Sequence, residues 1–374
     1  MKLQLVATCL FGLEQKLGEE IDALGYERIS TINGRVTFLG DEQAVALSNV
    51  FLRYAERVLI KVGSFKAESF EELFEGTRAL PWELYIGKND AFPVKGHSIK
   101  SRLFSIPDCQ AIIKKAVVRS PSERYGISLF SEEGVKYQIE FFILNDEATL
   151  MIDTSGVTLH KRGYRRESNA APIRETLAAA IAATARPREE VLLWDPMCGS
   201  GTIAIEAAML MRNIAPGARR SFAAEAFPFI DKRHWADARE EAAEGVVKES
   251  SFEVFASDID PECVELTKQN ARLAGVLGTV KVFHKDARHI SAPGRRGTIV
   301  TNPPYGERMG EVREVEALYR DIGRHFRSLS PWQVYVITSH TGFERLYGRR
   351  ADKVKRLYNG MIPCYLYQFF KNAK

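Results

Sequence analysis

The stretch VLLWDPMCGSGTIAIEAAMLM, residues 191–211, constrains the fold more than any other part of the chain. It reads as an apolar strand, a glycine-bearing turn and a helix. Glycines at 199 and 201 allow positive φ and let a ligand approach where no Cβ stands in the way. The helix that follows presents free N–H groups and the positive end of its dipole. Downstream the chain alternates FEVFASDID, a helix from Pro261, TVKVFHKDA, TIVTNPPYG, a helix around 312–329, WQVYVITS, and strands near 353–358 and 364–370. That alternation predicts an α/β, Rossmann-like, doubly wound parallel sheet with ligands just outside the carboxyl ends of its strands.

Upstream the texture differs. Residues 1–65 read as strand–helix–strand–helix: LQLVATC, a helix over 12–25 with Leu13, Leu17, Ile21 and Leu24 at helical spacing, GRVTFLG, and a helix over 44–55. Residues 66–155 form a second small α+β unit. SFEELFEGTRALPW opens with an N-cap serine and Glu72 three residues later, 107–118 is helical, and KYQIEFFILNDEATLMID is two strands around a turn at Asn145 and Asp146. The basic, turn-rich HKRGYRRESNAAPIR, 160–174, marks the boundary to a large domain over 160–374.

A chain of 374 residues exceeds one ordinary domain, which agrees with this division. Its net charge of +4 is too small to establish a polyanionic partner, so local clusters must carry that argument. The five cysteines are scattered without CxxC pairing, and the histidines lack ligand spacing, so neither a disulfide framework nor a metal is expected. No signal-peptide pattern and no run of about 20 apolar residues is visible. A cytoplasmic protein without a membrane partner is the expectation.

GSGTIA also fits the dinucleotide fingerprint, a weak match by itself. Asp195 at the strand end argues for another ligand, because a carboxylate repels pyrophosphate and attracts the ammonium and sulfonium groups of S-adenosylmethionine. The plainer reading makes it a helix cap. Asp258 in SDIDP stands where an acid accepts from both ribose hydroxyls, with residues 212–250 as an insertion before it. Asp260 before Pro261 reads as an N-cap. Asp286 in HKDAR reads as an acceptor for an adenine amino group or as a turn residue.

TIVTNPPYGER carries the most specific chemistry. Consecutive prolines after Asn302 fix a rigid, extended turn. The Asn302 side-chain oxygen and the Pro303 carbonyl are then placed to accept both hydrogens of one amino group, Pro304 stiffens that edge, and Tyr305 offers a face for a flipped base. In-line attack of the nitrogen on a sulfonium methyl needs positioning and electrostatics only. The plainer alternative is a rigid turn with a surface tyrosine.

DPMCGSGT, SDIDP, KDAR and TNPPYGER, in this order, resemble the cofactor and reaction motifs of class I amino-methyltransferases. With LHKRGYR and APIRETLAAAI upstream, the chain resembles the THUMP-domain RNA guanine-N2 methyltransferases, close to the amino-terminal half of the bifunctional bacterial 23S rRNA guanine methyltransferase. The resemblance covers essentially the whole chain. It implies a ferredoxin-like domain over 1–65, an RNA-gripping THUMP domain over 66–155, and S-adenosylmethionine contacts at Asp195, Pro196, Cys198, Gly199, Gly201, Thr202, Asp258, Ile259, Asp286 and Ala287. It also implies that residues 171–176, Glu175 among them, close over the cofactor. The second methyltransferase half is missing here, so the modification made by that half is expected to be absent.

Lys95, His97, Lys100, Arg102 and Lys114 on the THUMP-like unit read as RNA phosphate contacts or as a solvated basic face. Arg162 and Arg165 in HKRGYRR, and Arg219 and Arg220 beside Phe222, Phe227 and Trp235, suit an RNA surface, unless those aromatics pack the insertion onto the sheet. The expected partner is RNA, as 23S rRNA or a ribosomal precursor. Rival readings are adenine-N6 methylation of RNA or DNA, an NAD-dependent dehydrogenase, and a non-catalytic RNA-binding protein.

Overall fold

The computed structural model describes residues 1–125, 133–165, 173–291, 294–305, 309–329 and 331–370. The amino-terminal part runs β1 (Leu3–Cys9), α1 (Glu14–Ala23), β2 (Arg28–Ile32), β3 (Arg35–Gly40), α2 (Glu42–Phe51), β4 (Ala55–Lys66), α3 (Phe70–Arg78), β5 (Val94–Ile99), α4 (Ile106–Tyr125), β6 (Ile139–Leu144) and β7 (Glu147–Asp153). The rest runs α5 (Glu175–Thr184), β8 (Leu192–Asp195), α6 (Thr202–Met211), α7 (Lys232–Glu244), β9 (Val254–Asp258), α8 (Pro261–Ala274), β10 (Val280–His284), β11 (Gly297–Thr301), α9 (Met309–Ser328), β12 (Gln333–Thr338), α10 (Phe343–Tyr347), β13 (Lys353–Asn359) and β14 (Ile362–Phe369).

Local rules explain several of these elements. Ser69 and Glu72 exchange capping hydrogen bonds at the start of α3. Asn145 and Asp146 both take positive φ, 50° and 65°, which suits the tight β6–β7 hairpin. In β6 the alternation of Ile139, Phe141 and Ile143 against half-buried neighbours turns one face to the core. β8 lies in the middle of a parallel sheet, and all four of its residues are buried.

The structure departs from the sequence reading at β4. The second helix ends at Phe51, and residues 55–66 form a long strand that the sequence reading missed. A bulge between Lys61 and Gly63 breaks the alternation that would have revealed it. The first part of β4 pairs with β1 and the later part with β7. The two amino-terminal units therefore share one seven-stranded sheet, ordered β2-β3-β1-β4-β7-β6-β5.

The second sheet is ordered β10-β9-β8-β11-β12-β14-β13. Its first five strands are parallel, and β14 and β13 close it antiparallel. The chain leaves β8 toward β9 and β10 on one side, then returns to build β11 and β12 on the other. The topological switch therefore lies between β8 and β11, where doubly wound sheets place their ligands.

One buried apolar cluster runs through both sheets, joining Leu5, Val50, Phe141, Ile181, Ile203, Trp235 and Leu366. The aromatics of the insertion belong to it. Phe222 stacks on Trp235 at 5.3 Å between ring centres and Phe227 on Tyr137 at 4.4 Å, so these rings pack the insertion onto the amino-terminal part. Polar links add to this contact. Glu56 of β4 accepts from His160 Nδ1, Arg174 Nη1 and Thr176 Oγ1 at 2.9, 2.9 and 2.6 Å. Burial alone would raise its pKa, but these three donors hold it below the usual carboxylate range.

Candidate active site

The turn after β8 is held from beneath by α8. Thr267 Oγ1 donates to the Gly199 carbonyl and Asn270 Nδ2 to the Ser200 carbonyl, each at 2.9 Å. Gly199 adopts φ +53°, and a Cβ there would project into open space. Gly201 adopts φ +80°, and a Cβ there would stand 2.7 Å from Thr267 Cγ2. The first glycine thus leaves a cradle for a ligand, and the second lets the turn sit tightly on α8.

Two carboxylates flank this cradle. Asp258 accepts from the backbone N–H of Gly199 through Oδ2 and of Asp260 through Oδ1, at 2.9 and 3.0 Å. Asp195 is 1 % exposed and accepts from Thr301 Oγ1 at 2.9 Å. Burial pushes its pKa up to about 7, the Thr301 bond opposes the rise, and the charge of Asp258 adds to it. A buried carboxylate repelled by a second one favours a cationic ligand. Open space over Gly199 and two acids beside it fit the ammonium, sulfonium and ribose groups of S-adenosylmethionine, and oppose a pyrophosphate.

Thr301 ends β11, so the same hydroxyl fixes the start of the Asn-Pro-Pro turn against the cofactor strand. Pro303 is buried, Asn302 half-buried and Pro304 exposed. Tyr305 lies back against the core and donates its hydroxyl to Asn302 Oδ1 at 2.6 Å. Burial raises its pKa far above the ordinary phenol range. Behind the turn, Tyr319 of α9 donates to the Pro304 carbonyl at 2.7 Å and meets Thr338 Oγ1 at 2.9 Å. The sequence reading missed Thr301, Tyr319, Thr338, Thr267 and Asn270. A polar, helically spaced Thr267 and Asn270 on the buried side of α8 was the one usable signal.

The remaining predicted cofactor positions are placed as follows. Cys198 is buried with Sγ 3.4 Å from Thr267 Oγ1, and Pro196 and Thr202 are buried beside the turn. Ile259 is exposed, and its carbonyl accepts from His284 Nε2. Asp286 caps a short turn that starts with Ala287, and both its oxygens are held by Arg288, which keeps its carboxyl below the usual range. Glu175 is buried at the start of α5. Its carboxylate pairs with Arg165 at 3.0 Å, while burial lifts its pKa against that pull. Ala171 and Pro172 lie outside the described residues.

Several expected RNA contacts are corrected by the structure. Arg162 is 4 % exposed and donates to the carbonyls of Leu159 and Arg53, so it is not available to RNA. It lies 3.6 Å from Glu206, a fully buried carboxylate that Arg53 approaches at the same distance and Tyr164 bonds at 3.1 Å. Arg165 bridges Glu175, Thr202 and the Ile173 carbonyl. Arg220 donates to the carbonyls of Val157, Thr158 and Lys161. Arg162 and Arg165 supply donors to buried acceptors and Arg220 to carbonyls at the surface, structural tasks that a charge count cannot distinguish from an RNA patch. Arg219 is exposed and donates to the Leu273 carbonyl. Lys95 pairs with Glu140 at 2.8 Å and Arg102, itself exposed, with Glu68 at 2.7 Å; His97, Lys100 and Lys114 are also exposed. Among the described residues no cluster of potential metal ligands occurs, and no helix is long and apolar enough to cross a membrane.

Comparison with known proteins agrees with this geometry. Residues 162–368 match the family described as RMKL-like, methyltransferase domain, residues 4–59 the RlmL ferredoxin-like domain, and residues 67–153 the THUMP domain. A Bacillus subtilis (strain 168) protein named "Putative RNA methyltransferase YpsC" is 42 % identical over all of this chain and 97 % of its own length. The "Ribosomal RNA large subunit methyltransferase K/L" of Psychromonas ingrahamii is 32 % identical over 95 % of this chain, which spans only 48 % of that protein. Two solved structures superpose closely. One, titled as a predicted N6-adenine-specific DNA methylase from Listeria monocytogenes, is 45 % identical with a TM-score of 0.94 over 99 % of this chain and 97 % of its own. The other, SMU.472, titled as a putative methyltransferase complexed with SAH, is 40 % identical with a TM-score of 0.93 over 100 % of this chain and 99 % of its own. A buried Asp195 at the mouth of the glycine turn opposes a pyrophosphate, and with these matches the chain belongs to the RMKL-like family of S-adenosylmethionine-dependent methyltransferases, with a ferredoxin-like and a THUMP domain ahead of the catalytic one.

Proposed function

We propose that this protein is an RNA methyltransferase that modifies the exocyclic N2 of a guanine, in 23S rRNA or a ribosomal precursor. The observation that carries the reading is the bond from Thr301 to Asp195, because it sets the Asn302 edge directly beside the glycine turn. Bound S-adenosylmethionine supplies a methyl carbon on positively charged sulfur. Asp195 takes its ammonium group and Asp258 its ribose hydroxyls. Gly199 and Gly201 clear the approach, with Pro196, Cys198, Thr202, Ile259, Asp286, Ala287 and Glu175 around them. Asn302 Oδ1 and the Pro303 carbonyl accept the two amino hydrogens of the base, which holds the nitrogen in place and favours its lone pair over ring conjugation. Tyr305, packed against the core, holds Asn302 Oδ1 at the edge and yields that oxygen to the amino group of the base.

The names of the two relatives support RNA, and one of them supports large-subunit rRNA. We assign the RNA grip to residues 66–155, with His97, Lys100 and Lys114 on its exposed face, the ferredoxin-like unit to residues 1–65, and catalysis to 160–374. The test is nucleoside analysis of RNA treated with enzyme and labelled donor. Labelled N2-methylguanosine is expected. Labelled N6-methyladenosine in its place would move the assignment to the activity for which the Listeria structure is titled.

A further inference from the structure

A cleft of about 780 Å³ opens at the opposite edge of the second sheet, lined by Gly297 and Thr298 of β11 and Gln333 of β12. These residues begin their strands, whereas Thr301 ends β11, so the length of a strand, roughly 15 Å, separates the cleft from the candidate active site. Its walls come from α1, from the turn after α5, from the starts of β11 and β12, and from β13 and β14.

The charge in this cleft is one-sided. Lys16, Arg186, Arg188, Arg296, Lys353 and Lys355 line it, against the single carboxylate of Glu19. Among the described residues none of the six cations has a side-chain hydrogen bond or an ion pair within 4 Å. Burial first, and then Lys355, push Lys16 below its ordinary range against the pull of Glu19 and Glu20; burial does the same to Lys355, with Glu14 and Glu19 opposing and Lys353 adding. Six cations against one carboxylate in a recess repel one another, and an anion relieves that cost.

Two further observations point to a ligand. Gln368 of β14 lines the cleft, is 3 % exposed, and its Nε2 has no hydrogen-bond partner. A buried amide donor without an acceptor is costly, so its presence calls for an acceptor. Arg186 holds φ +51° just past the end of α5, the position where glycine sits without strain. The chain keeps a strained arginine at the lip of the cleft instead.

We propose that this cleft binds a small ligand carrying two or more phosphate groups, of the nucleoside polyphosphate or inorganic polyphosphate class. Phosphate oxygens accept from the six cations and from Gln368 Nε2. The volume lies in the range of about 300–1,000 Å³ typical of small-molecule sites.

Calorimetric titration of the full chain with tripolyphosphate, and separately with ATP, tests the proposal. Binding is expected to weaken steeply with salt and to fall at least tenfold in the double variant Lys16→Ala/Lys355→Ala. Gln368→Leu, which changes no charge and fills the same buried volume, should weaken binding severalfold. Both variants should bind S-adenosylmethionine like the parent, which also shows them folded. Absence of tripolyphosphate binding, or equal binding by parent and double variant, overturns the proposal. So does retention of a short single-stranded RNA in the cleft that tripolyphosphate fails to displace.

Discussion

Thr301 at the end of β11 donates its hydroxyl to Asp195 at the end of β8, 2.9 Å away and shielded from solvent. One hydrogen bond thereby couples the strand that carries the cofactor acid to the strand that carries the Asn-Pro-Pro turn. The two motifs are 106 residues apart in sequence.

Replacing Thr301 by valine keeps the volume and removes the donor. A buried carboxylate that loses a bond of this kind loses about 1–3 kcal/mol of stabilisation of its charged form. Thr301→Val is expected to weaken S-adenosylhomocysteine binding about tenfold near neutral pH, as read by calorimetry. An unchanged dissociation constant would break the proposed link.

The pH dependence follows from Asp195. Its pKa rises from 3.8 to about 7 on folding. The folded, unliganded protein therefore holds this proton more tightly than the unfolded chain, so the stability this group contributes is full at acid pH and is lost as pH rises toward 7. Cofactor affinity has the opposite sign, because the ammonium group needs the carboxylate. Affinity is expected to rise from pH 6 to 8 and then level off, and Asp195→Asn should bind weakly with no such slope. Parallel slopes in both proteins would assign the titration elsewhere.

Asn302→Ala should leave cofactor affinity within about twofold and reduce turnover by roughly a hundredfold or more, as expected for removal of a preorganised partner of the reacting group. Single-turnover methyl transfer and calorimetry on the same preparation separate the two effects. Full activity would refute the role given to Asn302.

Tyr319 touches the Pro304 carbonyl and not the reacting atoms, so it is a positioning residue. Tyr319→Phe should lower kcat about tenfold, worth about 1.4 kcal/mol, while KM for the donor stays near that of the parent. A change in KM alone would point to a purely structural role.

Glu206→Ala leaves Arg53 and Arg162 buried without their shared carboxylate. Removing one partner of a buried charge cluster costs about 3–5 kcal/mol, and urea denaturation is expected to show a loss of that order. Arg162→Ala should likewise lower the unfolding midpoint. If Arg162→Ala weakened RNA binding with no change in stability, the buried role derived above would be wrong.

The parts of the candidate pocket were legible because they are encoded locally. A glycine turn, an acid at each strand end and an Asn-Pro-Pro edge each occupy a few consecutive residues, and a parallel sheet converts their order into proximity. What supports them is encoded at a distance. Thr301 reads as an ordinary strand former until Asp195 lies beside it, and Tyr319 as one apolar position on α9 until its hydroxyl meets Pro304. β4 escaped because its bulge interrupts the alternation. The basic run around Arg162 misled for a related reason: a sequence carries the charge of a side chain without its direction, and here Arg162 and Arg165 turn inward to carbonyls and a carboxylate.

The aromatic insertion and the Glu56 node knit the amino-terminal sheet and the catalytic sheet into one continuous interior. Whatever the front half seizes is thus presented to the Asn302 edge at a set span and angle, as between the jaws of a caliper. Under the proposed function, the choice of nucleotide would rest on its distance from an anchoring point more than on the neighbouring letters.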